Sequence, residues 1–170
     1  LRVQDPAQSY DVLPHCRVLE VEHGTVSVQH LLQNAPAYRF APYQPNLLKT
    51  RFTQADASRF GYWFLFDLTN QTDRELFLRF VYSGTEVIDV YETDGARVLA
   101  SHRIGSLEPA GGDAFRKSNP YCPLRIGPGQ THRVYVYQQG IYTAYVPLFC
   151  LTSSSLLRSQ HRADLFYGLY

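Results

Sequence analysis

The chain of 170 residues has no methionine, one tryptophan and no concentration of charge of either sign. Its 16 Lys and Arg residues are balanced by 15 Asp and Glu residues, so the electrostatic footprint of a nucleic-acid-binding protein is missing. No apolar run approaches the roughly 18 residues needed to cross a bilayer, so no transmembrane segment is predicted within it. Because it begins with Leu1 and has no initiator methionine, we expect it to be part of a longer protein.

The usual signals of catalysis are also missing. None of the six histidines is paired with another at a spacing of four, which excludes a His-Glu-x-x-His zinc helix. The run Ser153-Ser154-Ser155 lacks the Gly-x-Ser-x-Gly pattern and is predicted to cap a helix. A glycosidase needs two carboxylates across a cleft, whereas the carboxylates between 86 and 94 follow one strand and its turn, where a solvated edge is predicted. The sequence therefore predicts no enzyme, no cofactor and no metal site.

Cysteine is scarce, and its spacing excludes a second group of sites. The three cysteines are Cys16, Cys122 and Cys150, with no Cys-x-x-Cys pair, so neither a zinc site nor a thioredoxin-type motif is supported. One disulfide with one free thiol and three buried thiols are equally compatible with this count. Cysteine usage therefore does not decide the compartment.

Aromatic residues are abundant instead, at 14% of the chain. They concentrate between Phe60 and Thr69, a segment that contains the only tryptophan and ends at the turn-forming run 70–73. Alternate side chains divide between two faces, both mainly apolar. One face carries Tyr62, Phe64, Phe66 and Leu68, and the other carries Trp63, Leu65, Asp67 and Thr69. This pattern predicts the central strand of a β-sandwich, covered on both sides.

Other short alternating segments recur at intervals of about 8–12 residues. The strands are predicted at residues 17–22, 75–81, 86–93, 97–103, 123–126, 133–138 and 141–151. Asp94-Gly95 is a hairpin-turn signal, and Ser27 is predicted to cap a helical turn over 28–33. Residues 1–16 are interpreted as an extended lead-in. Since no crossover helices separate the strands, we predict an all-β, jelly-roll-like antiparallel sandwich over residues 1–152.

The C-terminal residues 153–170 have a different pattern, because apolar residues recur there at helical spacing. These residues are Leu156, Ala163, Phe166 and Tyr170. A helix from about Ser155 to Tyr170 is predicted. Terminal aromatics suit both a helix that runs towards a membrane interface and one that packs back on the sheet.

Several short motifs follow one another in a recognisable order. They are Leu68-Thr69-Asn70 at the end of the aromatic strand, Ile88-Asp89-Val90-Tyr91 before Asp94-Gly95, Pro123-Leu124 before Pro128-Gly129-Gln130, then Tyr135-Val136, Pro147-Leu148 and Phe166-Tyr167-Gly168. With them, the chain resembles the extracellular sensor domain, type 2, of bacterial seven-transmembrane receptors with diverse intracellular signalling modules. One departure is the loop Arg116-Lys117-Ser118-Asn119, which three inserted residues separate from Pro123.

The resemblance implies a sandwich similar to carbohydrate-binding modules, located in the periplasm directly before a first transmembrane helix. It also implies an output module in the parent protein, such as a histidine kinase or a diguanylate cyclase. The helix at residues 153–170 would then be a juxtamembrane helix that carries the signal inward.

The residues on the second face of the strands are the candidate ligand site. Flat aromatic rings stack on sugar rings, and polar neighbours bind the hydroxyl groups. The candidates are Trp63, Tyr91, Tyr135 and Tyr137 for stacking, with Asp89, Arg103 and Asn119 for hydrogen bonding. We expect a shallow groove lined by Tyr91 and Tyr135, whose replacement by alanine would abolish binding and leave stability nearly intact. In the alternative interpretation, the rings pack as the core of that face.

The resulting expectation is a periplasmic domain that senses a carbohydrate or a similar small ligand. Two alternatives remain open from the sequence. One is the carbohydrate-binding module of a secreted enzyme. The other is a protein-interaction domain that forms a homodimer or a heterodimer with a related receptor.

Overall fold

The computed structural model describes residues 1–45, 59–81, 87–105, 120–140 and 147–158. The strands are β1 (Arg2–Val3), β2 (Tyr10–Asp11), β3 (Arg17–Glu22), β4 (Ala41–Pro42), β5 (Phe60–Asn70), β6 (Leu76–Phe80), β7 (Val87–Thr93), β8 (Val98–Ile104), β9 (Tyr121–Leu124), β10 (Thr131–Gln139) and β11 (Leu148–Thr152). Helix α1 covers Val28–Gln33. Two single-turn 3-10 helices cover Leu13–His15 and Ala35–Ala37.

The strands form two sheets that face each other. The larger sheet has seven strands in the order β4-β3-β5-β10-β7-β8, and β1 pairs with β5 beside this path. The smaller sheet has four strands in the order β2-β11-β6-β9. All described pairings are antiparallel except that of β1 with β5. The predicted all-β, antiparallel sandwich is confirmed.

The main hydrophobic core lies between the two sheets. Strand β5 contributes Tyr62, Phe64, Phe66 and Leu68, as the alternation predicted. The other long strands contribute Leu76, Leu78, Phe80, Ile88, Val90, Val134, Val136, Leu148 and Cys150. Because β5 is buried on both faces, its alternation is between two apolar sets rather than between apolar and polar residues.

Asn70 fixes the end of the central strand. Its side chain is fully buried, and its Nδ2 donates hydrogen bonds to the carbonyl oxygens of Arg74 and Ile126, at 3.0 and 2.9 Å. Its Oδ1 accepts hydrogen bonds from the backbone N–H and the hydroxyl of Thr72. Both donors and the carbonyl oxygen of the amide are therefore used, as a buried polar group requires.

Helix α1 covers the outer face of the larger sheet. The Ser27 hydroxyl accepts a hydrogen bond from the backbone N–H of His30 at 3.2 Å, so the predicted N-cap and helix are confirmed. Val28 and Leu31 are each 1% exposed and join a second hydrophobic cluster on this face. Phe40, from the segment after the helix, packs against the same cluster.

Three local expectations need correction. The lead-in over residues 1–16 is not merely extended, because β1 pairs with β5 and β2 pairs with β11. Strand β9 begins at Tyr121 and ends at Leu124, so it is shifted by two residues towards the N-terminus relative to the predicted range 123–126. The solvated edge is wrong for Asp89 and Glu92, which are 6% and 0% exposed. Residues 106–119 and 141–146 lie outside the described residues.

The described part of the C-terminal helix covers residues 153–158. The N-cap of this helix is Thr152, one residue before the serines that were predicted to cap it. The Thr152 hydroxyl accepts a hydrogen bond from the backbone N–H of Ser155 at 3.3 Å. The Thr152 and Ser155 hydroxyls also donate to the carbonyl oxygens of Pro6 and Ala7. The predicted continuation to Tyr170 lies outside the described residues. Among the described segments, none is a helix with the length and apolarity that a membrane span requires.

Candidate functional site: the outer face of the larger sheet

Six of the seven candidate ligand residues lie on one face of the larger sheet. The antiparallel register places Trp63, Tyr137, Asp89 and Arg103 in one row across β5, β10, β7 and β8. The next row places Leu65, Tyr135, Tyr91 and Ser101 across the same strands. Because directly paired residues of neighbouring strands point to the same side, both rows lie on the face opposite the main core. The seventh candidate, Asn119, lies outside the described residues.

One half of this face is closed. Trp63, Tyr135 and Tyr137 are 3%, 4% and 8% exposed. The centre of the Trp63 ring lies 5.1 Å from that of Tyr137 and 6.4 Å from that of Tyr135. Phe40 lies at 6.3 Å from Tyr135, in an edge-to-face arrangement. The alternative interpretation, in which the rings pack as the core of this face, therefore describes these three rings, because α1 and the segment after it cover them.

Tyr137 also explains a glycine in the central strand. Its ring lies against Gly61, where an added Cβ would overlap the hydroxyl and the ring carbons of Tyr137. The hydroxyl donates a hydrogen bond to Gln139 Oε1 at 3.3 Å and lies 3.4 Å from His23 Nδ1. Burial raises the pKa of Tyr137, so this hydroxyl keeps its proton and its role as a donor.

The other half of the face is polar and more open. Arg103 Nε and Nη2 donate to the two carboxylate oxygens of Asp89, at 2.6 and 2.8 Å. The Asp89 side chain is only 9% exposed, whereas that of Arg103 is 59% exposed. Bidentate pairing of this kind fixes both groups in orientation. The buried carboxylate therefore holds a guanidinium at the surface.

Tyr91 completes this group, which we call the Tyr91–Asp89–Arg103 triad. Burial raises the pKa of Tyr91, the Asp89 charge adds to this effect, and the Arg103 charge opposes it. The hydrogen-bonding influences of Asp89 and Arg103 on this hydroxyl also oppose each other, Asp89 raising its pKa and Arg103 lowering it. The Tyr91 ring lies 5.9 Å from that of Trp63, so the triad borders the closed aromatic half directly.

The neighbours of the triad add hydrogen-bonding groups. Ser101 is exposed directly opposite Tyr91. Trp63 Nε1 is buried, and no described residue accepts a hydrogen bond from it. The triad thus combines a partly exposed ring with an oriented charged pair, an arrangement suited to a polyhydroxylated ligand.

Sequence patterns did not identify Ser101 as a site residue, because they do not give the register of the β7–β8 hairpin. Asp94-Gly95 alone suggests a two-residue turn, but Thr93 pairs with Val98 across a four-residue loop. A register shift at Glu92 and Thr93 then moves the pairing by one residue. This shift brings Arg103 opposite Asp89 on the outer face and Ser101 opposite Tyr91, since a slip of one residue exchanges the faces of a strand.

A second buried polar group, also missed, lies on the inner face. Both carboxylate oxygens of Glu92 accept a hydrogen bond from the backbone N–H of Arg125 at 2.9 Å, and Oε2 lies 3.0 Å from His132 Nδ1. These contacts fix the segment after β9 to β7 and β10. Their role is structural, since Glu92 is fully buried.

The three cysteines are free and buried. Burial raises the pKa of Cys16 and Cys150 to about 12, and it also raises the pKa of Cys122. Cys122 and Cys150 both pair with Leu78, so they are two strand spacings apart, about 9.6 Å, which is too far for a disulfide. No group of three or more potential metal ligands occurs within the described ranges.

Comparisons with known proteins give one family. The profile described as 7TMR-DISM extracellular 2 matches residues 13–152. No curated protein sequence matches the chain.

Solved structures with a similar fold include three glycosidases. The GH31 alpha-xylosidase of Xanthomonas citri matches 89% of this chain at 16% identity and a TM-score of 0.46. A calcium-binding mutant of Bacteroides uniformis beta-glucuronidase 2 matches 84% of this chain at 12% identity and a TM-score of 0.47. The Ruminococcus gnavus beta-glucuronidase matches 89% of this chain at 11% identity and a TM-score of 0.47. The chain spans 17%, 18% and 30% of their respective lengths.

Proposed function

Since the chain belongs to the 7TMR-DISM extracellular 2 family, it is an extracytoplasmic sensor domain of a membrane receptor, and we propose that its ligand is a carbohydrate or a similar small polyhydroxylated molecule. In this proposal the domain is periplasmic and has no catalytic activity of its own. The parent receptor carries the output activity, of the histidine kinase or diguanylate cyclase type.

The observation that carries the ligand proposal is the Tyr91–Asp89–Arg103 triad. A bidentate ion pair at the surface orients the guanidinium before any ligand arrives, so little side-chain freedom is lost on binding. The guanidinium can donate to ligand hydroxyl groups, and the Tyr91 ring offers an apolar surface beside it. Trp63, Tyr135 and Tyr137 support the floor of the site, and in this proposal they contact the ligand little or not at all.

The ligand acts on the receptor only if it binds one conformation of the domain better than another. The first turn of the C-terminal helix is tied to the N-terminal segment by the hydroxyls of Thr152 and Ser155. We propose that a change in the position of this helix transmits the signal.

The ligand proposal is tested with a glycan array followed by calorimetry on the glycans that bind. Arg103→Lys keeps the charge and loses the bidentate pairing with Asp89, and Tyr91→Phe keeps the ring but removes the hydroxyl that is electrostatically coupled to Asp89 and Arg103. We expect each variant to weaken binding at least about tenfold, or 1.4 kcal/mol.

The matched control is Arg133→Lys. Arg133 Nε lies 2.9 Å from Asp67 Oδ1 on the same face of the sheet, in a cross-strand pair one row beyond the Tyr91 row. Its replacement should leave affinity within about twofold. The proposal fails if the unaltered domain binds no glycan, or if the Arg133 variant loses as much affinity as the Arg103 variant.

A further inference from the structure

The outer face of the smaller sheet carries two charges that do not pair with each other. The register places Asp11 on β2, Phe149 on β11, Arg79 on β6 and Tyr121 on β9 in one row. Phe149, Arg79 and Tyr121 are partly exposed, and Asp11 is exposed. Asp11 and Arg79 are two strand spacings apart, about 9.6 Å, with the Phe149 ring between them.

Arg79 has no acidic partner among the residues that the structure describes. Its Cζ lies 5.5 Å from the centre of the Phe149 ring, over which it stacks. Its Nε is buried, and no described residue accepts a hydrogen bond from it. Burial lowers the pKa of Arg79. The side chain as a whole is nevertheless partly exposed, so an acidic group of another molecule can approach the guanidinium and pair with its charge.

Asp11 is the complementary charge. Its Oδ1 accepts a hydrogen bond from the N–H of Leu13 at 3.1 Å, and no ion pair to a basic side chain is found among the described residues. The row therefore has an acid, a ring and a base at equal spacing. Reversed, the same row has a base, a ring and an acid, so it is complementary to itself.

We propose that this face is the contact surface of a homodimer, in which Asp11 of each copy pairs with Arg79 of the other across stacked Phe149 rings. The two-fold axis of this dimer runs parallel to the strands, between the two copies and directly above β11. It places β11 of the second copy opposite β11 of the first, and it places β2 of each copy opposite β6 of the other. Two sheets packed face to face lie about 10 Å apart, a distance that the side chains of one row on each copy can fill. Most soluble homodimers have this two-fold symmetry.

The contact covers only three strands, so the dimer is weak and reversible. An interface well below the usual size is typical of transient association. We expect the fraction of dimer to rise with concentration between about 10 µM and 1 mM. The ligand face belongs to the larger sheet and stays accessible, so this inference does not depend on the ligand proposal.

Sedimentation velocity on the 170-residue chain over this concentration range tests the dimer. Asp11→Arg and Arg79→Asp should each raise the dissociation constant at least about tenfold, because each places like charges together. The double variant D11R/R79D restores complementarity, and we expect it to return to within about threefold of the original value. Arg97→Asp is the control, since it makes the same charge change on the β7–β8 hairpin, where the side chain is 80% exposed.

Nuclear magnetic resonance spectra of the unaltered chain in a dilution series give a readout that needs no variant. We expect concentration-dependent shifts at amides of β2, β6 and β11. The proposal is overturned if the unaltered chain is monomeric at 1 mM, if the shifts lie on other strands, or if R79D dimerises as strongly as the R97D control. A double variant that folds but stays monomeric would contradict the proposed pairing of Asp11 with Arg79.

Discussion

Tyr135 shows that the role of an aromatic side chain in a sheet depends on what covers that face. Its position on β10 follows from the alternation, but its burial follows from α1 and Phe40, which come from a distant part of the chain. The alternation alone therefore predicted the face of Tyr135 correctly but could not say whether that face is covered. Tyr91, one strand further from the cover, remains partly exposed.

Tyr135→Ala should consequently lower stability strongly, in contrast to the expectation from sequence. Removing a buried ring in contact with Trp63 and Phe40 costs about 3–5 kcal/mol, through lost burial and the cavity left behind. Urea unfolding followed by fluorescence measures this change. Ser101→Ala, in the same row but exposed, is the control and should change stability by less than about 0.5 kcal/mol. Equal midpoints for the two variants would show that Tyr135 is not part of a core.

Other single residues could not be assigned because their partners are distant in sequence. Glu92 follows the inward positions Ile88 and Val90, yet a carboxylate there gave no reason to expect burial. The backbone N–H of Arg125 and the ring of His132 satisfy it, and neither is close in sequence. Asn70 is similar, because the carbonyl of Ile126 is one of its acceptors.

At the scale of elements, local patterns predicted most of what is observed. Strands β3, β5, β6 and β7 lie within one residue of their predicted ends, because each combines alternation with a turn signal at its end. The register of β7 with β8 could not be predicted, since it depends on a four-residue loop and a shift that leave no mark in the alternation. That register decides which side chains face Tyr91 and Asp89.

The stability of helix α1 depends strongly on its local sequence, because a helix of six residues is marginal without a cap. Ser27→Ala removes the acceptor for the N–H of His30 and should lower the free energy of unfolding by about 1 kcal/mol. Chemical denaturation measures it, and Ser27→Asp, which restores an acceptor, should recover most of the loss. If both variants were as stable as the original, the cap would contribute nothing to the cover over the aromatic face.

At the scale of the whole molecule, the two outer faces differ. The larger sheet carries an aromatic layer closed by α1 and bordered by the Tyr91–Asp89–Arg103 triad. The smaller sheet carries the self-complementary row of Asp11, Phe149 and Arg79. A receptor domain with its ligand site on one sheet and its partner contact on the other can bind both together.

Backbone amide shifts during a ligand titration show whether the ligand binds at the Tyr91–Asp89–Arg103 triad. A glycan that binds on the array is added to the labelled chain. We expect the largest shifts at Tyr91, Ser101 and Arg103 on β7 and β8, with little change on β6 and β11. Shifts confined to the smaller sheet, or spread away from β7 and β8, would contradict a ligand site on this face.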